Sequence, residues 1–252
     1  MAPPRVHKLR LDSLLVARGL ADSREKAQGL ILAGRVLVEE QKIEKCGARV
    51  AAGAAVRLLG GLLKYASRGG LKLEGALDHF RVQVEGKTCL DTGASTGGFT
   101  DCLLQRGAAK VFAVDVGTNQ LDWKLRRDPR VVSLDKTNAR YLTIEQIGER
   151  VALATMDVSF ISATLILPAL SPLLEPGAET LILVKPQFEV GRGQVGKGGI
   201  VRDSKLQQEA VSKVSRKLLE LGFSHIGSSE SVLPGATGNR EFFLHAIWGK
   251  ST

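Results

Sequence analysis

Read for the spacing of its apolar positions, the chain opens with two short helical stripes and a pair of strands. Leu11, Leu14 and Leu15 share one helical face over residues 9–19, and Gly19 ends the run. Asp22-Ser23-Arg24-Glu25 supplies a helix start, with Asp22 or Ser23 as the cap and an acid three positions after Asp22. Ala27, Leu30 and Ile31 continue at i, i+3, i+4 until Gly34. Val36-Leu37-Val38 and residues 55–59 read as strands, separated by a polar, glycine-rich stretch over 40–54. This predicts a small α+β domain over residues 1–63, and residues 64–68 join it to a second domain that fills 64–252.

A different rhythm follows. A helix begins at Gly69, with Leu73, Ala76, Leu77 and Phe80 at i, i+3, i+4, i+7. Apolar runs at 88–92, 111–115, 131–134, 151–156 and 180–184 then alternate with helical stretches near 98–106, 119–126, 143–149 and 161–173. Such alternation predicts an α/β domain built on a mainly parallel sheet covered on both faces. A longer helix over 205–221 precedes two strands, 227–233 and 242–248, joined by the turn at 234–239. The expected result is a seven-stranded, Rossmann-like sheet with an antiparallel edge. No internal repeat or low-complexity tract interrupts it.

Composition narrows the class. At 252 residues and 44% hydrophobic, the chain suits a globular protein, and no run approaches the roughly 18 to 20 apolar residues of a membrane span. The first ten residues contain no apolar signal core. Three cysteines, Cys46, Cys89 and Cys102, are odd in number and lack metal-ligand spacing. Together these predict a cytoplasmic protein with no membrane association and no metal, its cysteines buried or half-buried. The net charge of +9 is uneven, since residues 1–65 hold 12 Lys+Arg against 6 Asp+Glu. A basic surplus gathered in the small domain points to a polyanion as partner, most plausibly nucleic acid.

The candidate ligand site is the stretch 88–101, Thr-Cys-Leu-Asp-Thr-Gly-Ala-Ser-Thr-Gly-Gly-Phe-Thr-Asp, which runs from a strand through a tight turn into a helix. Free N–H groups at such a helix start can meet polar ligand atoms, and glycines let a ligand lie against bare backbone. The spacing of Gly93, Gly97 and Gly98 fails the dinucleotide fingerprint. Residues 191–197 approach a P-loop, but Gly198 stands where the magnesium-binding hydroxyl belongs, and the segment does not run from a strand into a helix. It reads instead as a basic loop carrying Arg192 and Lys197. The third option is S-adenosylmethionine, with Asp115, 22 residues past Gly93, on the ribose hydroxyls and Asp135 near the adenine. Donor contacts are then expected from Asp91, Gly93, Ala94, Ser95, Gly97, Gly98 and Phe99, from Asp115 and Val116, from Asp135 and Lys136, and from Asp157.

Acceptor chemistry follows by exclusion. Residues 156–160 read Met-Asp-Val-Ser-Phe, so the motif common to amine methylation is absent, and no Pro-Cys pair exists for pyrimidine C5 chemistry. What remains at strand ends is Asp157, Lys185 and Glu241, with Lys72 on the helix that packs beside them. Methylating a ribose 2′-hydroxyl requires help with the charge on oxygen, which a lysine flanked by carboxylates can give. A sulfonium is already activated, so most of the acceleration comes from alignment.

Two resemblances agree with this reading. Arg10-Leu11-Asp12, Ser23-Arg24-Glu25-Lys26-Ala27, Leu30-Ile31 and residues 34–38 resemble the S4 RNA-binding domain. That resemblance implies that Lys8, Arg10, Arg24, Lys26 and Arg35 face a structured RNA backbone, and Arg68, Arg192 and Lys197 are expected to bind RNA as well. Lys72, Asp157, Lys185 and Glu241 match the Lys-Asp-Lys-Glu tetrad of FtsJ/RrmJ-like ribose 2′-O-methyltransferases. The chain as a whole is similar to the TlyA family, through Ser67-Arg68-Gly69, the 91–100 turn, Asn138-Ala139-Arg140, Asp157-Val-Ser-Phe-Ile-Ser, Val184-Lys-Pro-Gln-Phe-Glu-Val-Gly and Gly238-Asn239-Arg240-Glu241. The family implies cytidine 2′-O-methylation of ribosomal RNA, free or in ribosomal subunits. The chain ends four residues after Trp248, which favours 23S over 16S as substrate. Its haemolysin label supplies a rival, a membrane-active protein, and a non-catalytic assembly factor that holds donor and RNA is a second.

Overall fold

The computed structural model describes residues 8–32, 34–59 and 64–249, apart from the side chain of Arg192. Two units emerge, Met1–Leu63 and Lys64–Thr252. Residues 60–63, where the sequence places the boundary, lie outside the described residues, as do residues 1–7.

In the first unit β1 (Lys8–Arg10) leads directly into α1 (Leu11–Ala17), followed by α2 (Arg24–Leu32), β2 (Val36–Val38), β3 (Gln41–Lys42), β4 (Arg49–Ala51) and β5 (Val56–Leu58). The expected first helix is therefore shorter than its stripe, because Lys8–Arg10 pair antiparallel with Arg49–Ala51. Part of the glycine-rich stretch is thus strand. β3, β2 and β5 form a separate antiparallel sheet. Leu11, Leu15, Ala27, Ile31, Val36 and Val38 form the core.

One buried acid organises the basic residues of this unit. Asp12 has no exposed surface, yet its carboxylate accepts from Arg10 Nε (3.0 Å) and Nη2 (2.8 Å), Arg24 Nε (3.1 Å), Gln28 Nε2 (3.0 Å) and the Ser13 amide (2.9 Å). The Arg10 guanidinium holds the Asp12 carboxyl far below the usual carboxylate range. Both arginines keep about half their side-chain surface in solvent. Lys8 is exposed, Lys26 pairs with Asp22 at 3.6 Å, and Arg35 donates to the Leu59 carbonyl at 3.1 Å.

The second unit starts with α3 (Gly69–Phe80) and continues β6 (Thr88–Thr92), α4 (Gly98–Gln105), β7 (Lys110–Val114), α5 (Trp123–Arg126), β8 (Val131–Leu134), α6 (Ile144–Ile147) and β9 (Val151–Met156). Then come α7 (Leu167–Leu170), β10 (Leu174–Val184), α8 (Pro186–Glu189), α9 (Ser204–Leu221), β11 (Phe223–Glu230) and β12 (Phe242–Trp248). The sheet order is β11-β12-β10-β9-β6-β7-β8. β6 to β10 run parallel, and β12 runs antiparallel to both its neighbours. The antiparallel strand is thus not the edge. Phe242–Trp248 is mostly buried and takes an interior place, whereas Gly- and Ser-containing β11 alternates in exposure and forms the rim.

Successive strand residues serve opposite faces. Leu181 and Leu183 pack under α3 and α4 with Leu73, Leu77 and Leu103, while Ile182 and Val184 pack against α7 and α9 with Leu167, Val214 and Leu218. Each such fully buried leucine contributes about 1.5–3 kcal/mol. The single helix expected over 161–173 is broken into α7 and two short 3-10 turns. Pro168 and Pro172 lack the N–H that a continuous helix would need there. β10 begins at Leu174 rather than near 180, with a register shift between Leu174 and Glu179.

Candidate active site

The carboxyl ends of β6, β9 and β10 converge on the turn that opens α4. Gly93 and Ala94 donate their amides to the Val114 carbonyl (2.9 and 3.0 Å), tying the turn to β7. Gly93 has φ +84°, and a Cβ there would lie 2.4 Å from the Asp157 carbonyl oxygen. No other residue fits without moving β9. The other two glycines serve packing. A Cβ on Gly97 would meet Leu125 at 2.2 Å, and one on Gly98 would meet Ser67 Oγ at 2.2 Å. Gly97 serves packing alone, whereas Gly93 and Gly98 also line a cavity on this turn.

Two cavities open on this turn and share Gly93, Ser95, Asp157 and Ser159. The larger, about 500 Å³, is lined by Val114, Val116, Ala139, Val158, Phe160 and Ile161, with Asp115 and Asn138 as polar groups. Apolar walls with the Asp115 and Asp157 carboxylates at the edge suit a flat base joined to a hydroxylated sugar. Asp115 accepts from the Ser95 amide (2.9 Å) and the Gly117 amide (2.7 Å), so it braces the turn while facing the cavity. Phe160, 92% exposed with φ 65°, forms part of the rim.

The smaller cavity, about 250 Å³, contains the cations. Ser67, Arg68, Lys72, Phe99, Lys185 and Pro234 are among its walls. Lys72 is buried, and its Nζ lies 2.5 Å from Glu241 Oε2, itself only 3% exposed. Lys185 Nζ lies 2.6 Å from Asp157 Oδ1 and donates to Ser159 Oγ at 2.8 Å. Two ammonium–carboxylate pairs therefore stand beside one cleft. Burial leaves little water to screen them.

Not every predicted contact reaches a cavity. Asp91 is fully buried beneath the turn, where it accepts from Thr100 Oγ1 (2.7 Å) and Thr155 Oγ1 (3.1 Å). Burial pushes its carboxyl up to about 7. Its place is under the cradle, not on its surface. Asp135 turns to Arg126 Nη1 (2.8 Å) and the Asn119 amide (3.3 Å), and the Arg126 guanidinium lowers its pKa. Lys136 is exposed at a left-handed turn, and neither it nor Asp135 lines either cavity. Ala94 and Phe99 line the smaller cavity and Val116 the larger. Arg68 also borders the smaller cavity, Lys197 is exposed on its loop, and the side chain of Arg192 lies outside the described residues.

Sequence reasoning missed Ser67, Ser159, Asn138, Phe160 and Ile161 as wall residues. Ser159 and Phe160 follow Asp157 directly, so their place after a strand end was the available signal. A further buried side chain, Asn239, joins two loops. Its Nδ2 donates to the Gly199 carbonyl (2.8 Å) and its Oδ1 accepts from the Val201 amide (2.9 Å). The basic loop is thereby fastened to the 234–239 turn, whose Pro234 and Ala236 line the smaller cavity.

The three cysteines are free, and burial pushes the Cys89 and Cys102 thiols up to about 12. Among the described residues no cluster of acids, histidines and cysteines could hold a metal ion, and no helix is long and apolar enough to cross a membrane.

A seven-stranded sheet with two lysine–acid pairs beside the carboxyl ends of its strands occurs in known proteins. The FtsJ-like methyltransferase family matches residues 65–247, and the S4 domain matches residues 9–56. The chain belongs to the TlyA family of FtsJ-like methyltransferases. It is 50% identical over 238 residues to the Mycobacterium tuberculosis protein named 16S/23S rRNA (cytidine-2′-O)-methyltransferase TlyA, covering 94% of this chain and 89% of that one. Hemolysin A of Brachyspira hyodysenteriae is 43% identical over 240 residues, 95% of this chain and all of the relative. A solved structure from Streptococcus thermophilus with a provisional hemolysin description superposes with a TM-score of 0.76 at 44% identity, covering 98% of this chain and 90% of that one. The seven-stranded α/β sheet and the N-terminal S4 domain are those of this family, and the chain is a methyltransferase.

Proposed function

We propose that this TlyA-family methyltransferase transfers a methyl group from S-adenosylmethionine to the ribose 2′-hydroxyl of a cytidine in ribosomal RNA. The observation that carries the reading is the joining of two cavities at Gly93, Ser95, Asp157 and Ser159, with Lys72–Glu241 and Lys185–Asp157 at the smaller one. The larger cavity fits adenosine, with the base between Val116, Ala139, Phe160 and Ile161 and the ribose hydroxyls towards Asp115.

Held by Asp115 and the walls of the larger cavity, S-adenosylmethionine would supply an electrophilic methyl carbon, the electron pair of its C–S bond staying on sulfur. Lys185 is directed at the acceptor oxygen and takes the proton that oxygen gives up, and Asp157 stabilises the resulting ammonium. Lys72, fixed by Glu241, holds the ribose in line for attack. Such alignment contributes up to about 7–11 kcal/mol in favourable cases. The basic S4 unit supplies affinity for RNA phosphates, which matches the recognition of A-form RNA by shape and backbone. The relative's name covers both 16S and 23S RNA, and 23S is the first to test.

The experiment is methyl transfer from labelled donor to unmodified 30S and 50S subunits, followed by mapping of the modified ribose. Lys185→Ala should abolish transfer while donor binding stays within about twofold; full activity in that variant sinks the assignment.

A further inference from the structure

We propose that Ser159 is a positioning residue for methyl transfer, which fixes the direction in which the Lys185 amine meets the acceptor hydroxyl. This rests on the assignment of Lys185 above and extends it to a residue outside the lysine–acid tetrad.

The argument is one of directions about a nitrogen. Besides its bond to Cε, Lys185 Nζ has three tetrahedral positions. Ser159 Oγ at 2.8 Å takes one of them, and Asp157 Oδ1 lies at 2.6 Å as an ion-pair partner without hydrogen-bond geometry. The cavity that Lys185 lines is open to the others. With the Ser159 bond made, the lone pair of the neutral amine can face the oxygen it must serve. With Asp157 as sole neighbour, the group could rotate about the Cδ–Cε and Cε–Nζ bonds of a flexible stem while keeping its ion pair. A second contact removes that freedom. Ser159 stands on the wall common to both cavities and is exposed, and among the described residues Lys185 is its only hydrogen-bond partner. Its hydroxyl therefore has no role in the packing of the core. It is placed between the donor site and the acceptor site.

Ser159→Ala and Ser159→Thr, made in the full chain, test this with labelled donor and unmodified subunits, beside Lys185→Ala as reference. Ser159→Ala should lower kcat about 10- to 100-fold, the scale of a displacement of roughly 1 Å in a reacting group. Its KM for subunits, its Kd for the donor and its melting temperature should stay at the wild-type values. Ser159→Thr, which keeps the hydroxyl, should recover most of the lost rate. A wild-type kcat in Ser159→Ala overturns the proposal. So does a loss that appears in donor Kd instead of kcat, or a threonine variant as slow as alanine. If Lys185→Ala itself stays fully active, the assignment of the lysine falls; if it is inactive while Ser159→Ala is not, only the role of Ser159 falls.

Discussion

Replacing Asp91 by asparagine should change how stability depends on pH, and the burial of this side chain sets the size of the effect. The Asp91 carboxyl titrates at about 7 in the folded chain, against an ordinary value of 3.8. Between those values the native state keeps a proton that the unfolded state has lost. Unfolding free energy then falls by about 1.4 kcal/mol for each unit of rising pH, until the carboxyl ionises near pH 7. Integrated from pH 4 to pH 7, that is a loss of about 3.4 kcal/mol. Asparagine carries no proton to lose. Thr100 and Thr155, which now donate to the carboxylate, can rotate their hydroxyls to suit an amide. The absolute stability of Asp91→Asn depends on that adjustment, but its pH dependence relative to wild type does not. Urea unfolding of both proteins at pH 5, 6, 7 and 8, followed by tryptophan fluorescence, measures the difference. The variant should gain about 2.3 kcal/mol on wild type between pH 5 and pH 7, and only about 0.3 kcal/mol more by pH 8. Parallel stability curves would refute the reasoning and show that Asp91 is ionised at an ordinary pKa.

Other perturbations test the remaining joints. Gly93→Ala places a methyl 2.4 Å from the Asp157 carbonyl at a backbone angle of +84°; it should cost roughly 1–3 kcal/mol of stability and weaken donor binding, seen by calorimetry. Glu241→Ala leaves the Lys72 ammonium buried without its counter-ion, so roughly 3–5 kcal/mol should be lost together with activity; an unchanged melting temperature would contradict the pair's burial. Asp12→Ala removes the acceptor that holds Arg10 and Arg24, and should loosen the S4 unit by roughly 3 kcal/mol and lower RNA affinity, measured by hydrogen exchange and filter binding.

Much of the fold was legible because its signals are local. The alternation of apolar runs and helical stripes placed α3, β6, α4 and β8 within a residue of their observed bounds, and the spacing of Gly93 from Gly97 excluded a dinucleotide. What sequence could not show depended on partners distant in the chain. Leu9 and Arg10 look helical until Arg49–Ala51 offers a ladder. Nothing near residue 242 announces that β12 will be inserted between β10 and β11. Asp91 and Asp135 stand at strand ends as ligand-binding acids do, but Thr155 claims one and Arg126 the other. Asp157, Lys185 and Glu241 were legible at strand ends and Lys72 on the helix beside them, whereas their division into two ion pairs required the folded sheet.

Asn239 makes one side chain a mechanical joint. Because it grips both Gly199 and Val201 from the turn that leads into Glu241, the basic loop cannot swing aside alone. Any displacement of that loop either drags the wall of the smaller cavity along or breaks both hydrogen bonds. The position of the loop and the shape of that cavity are thus linked as two ends of a lever are, with an asparagine as the fulcrum.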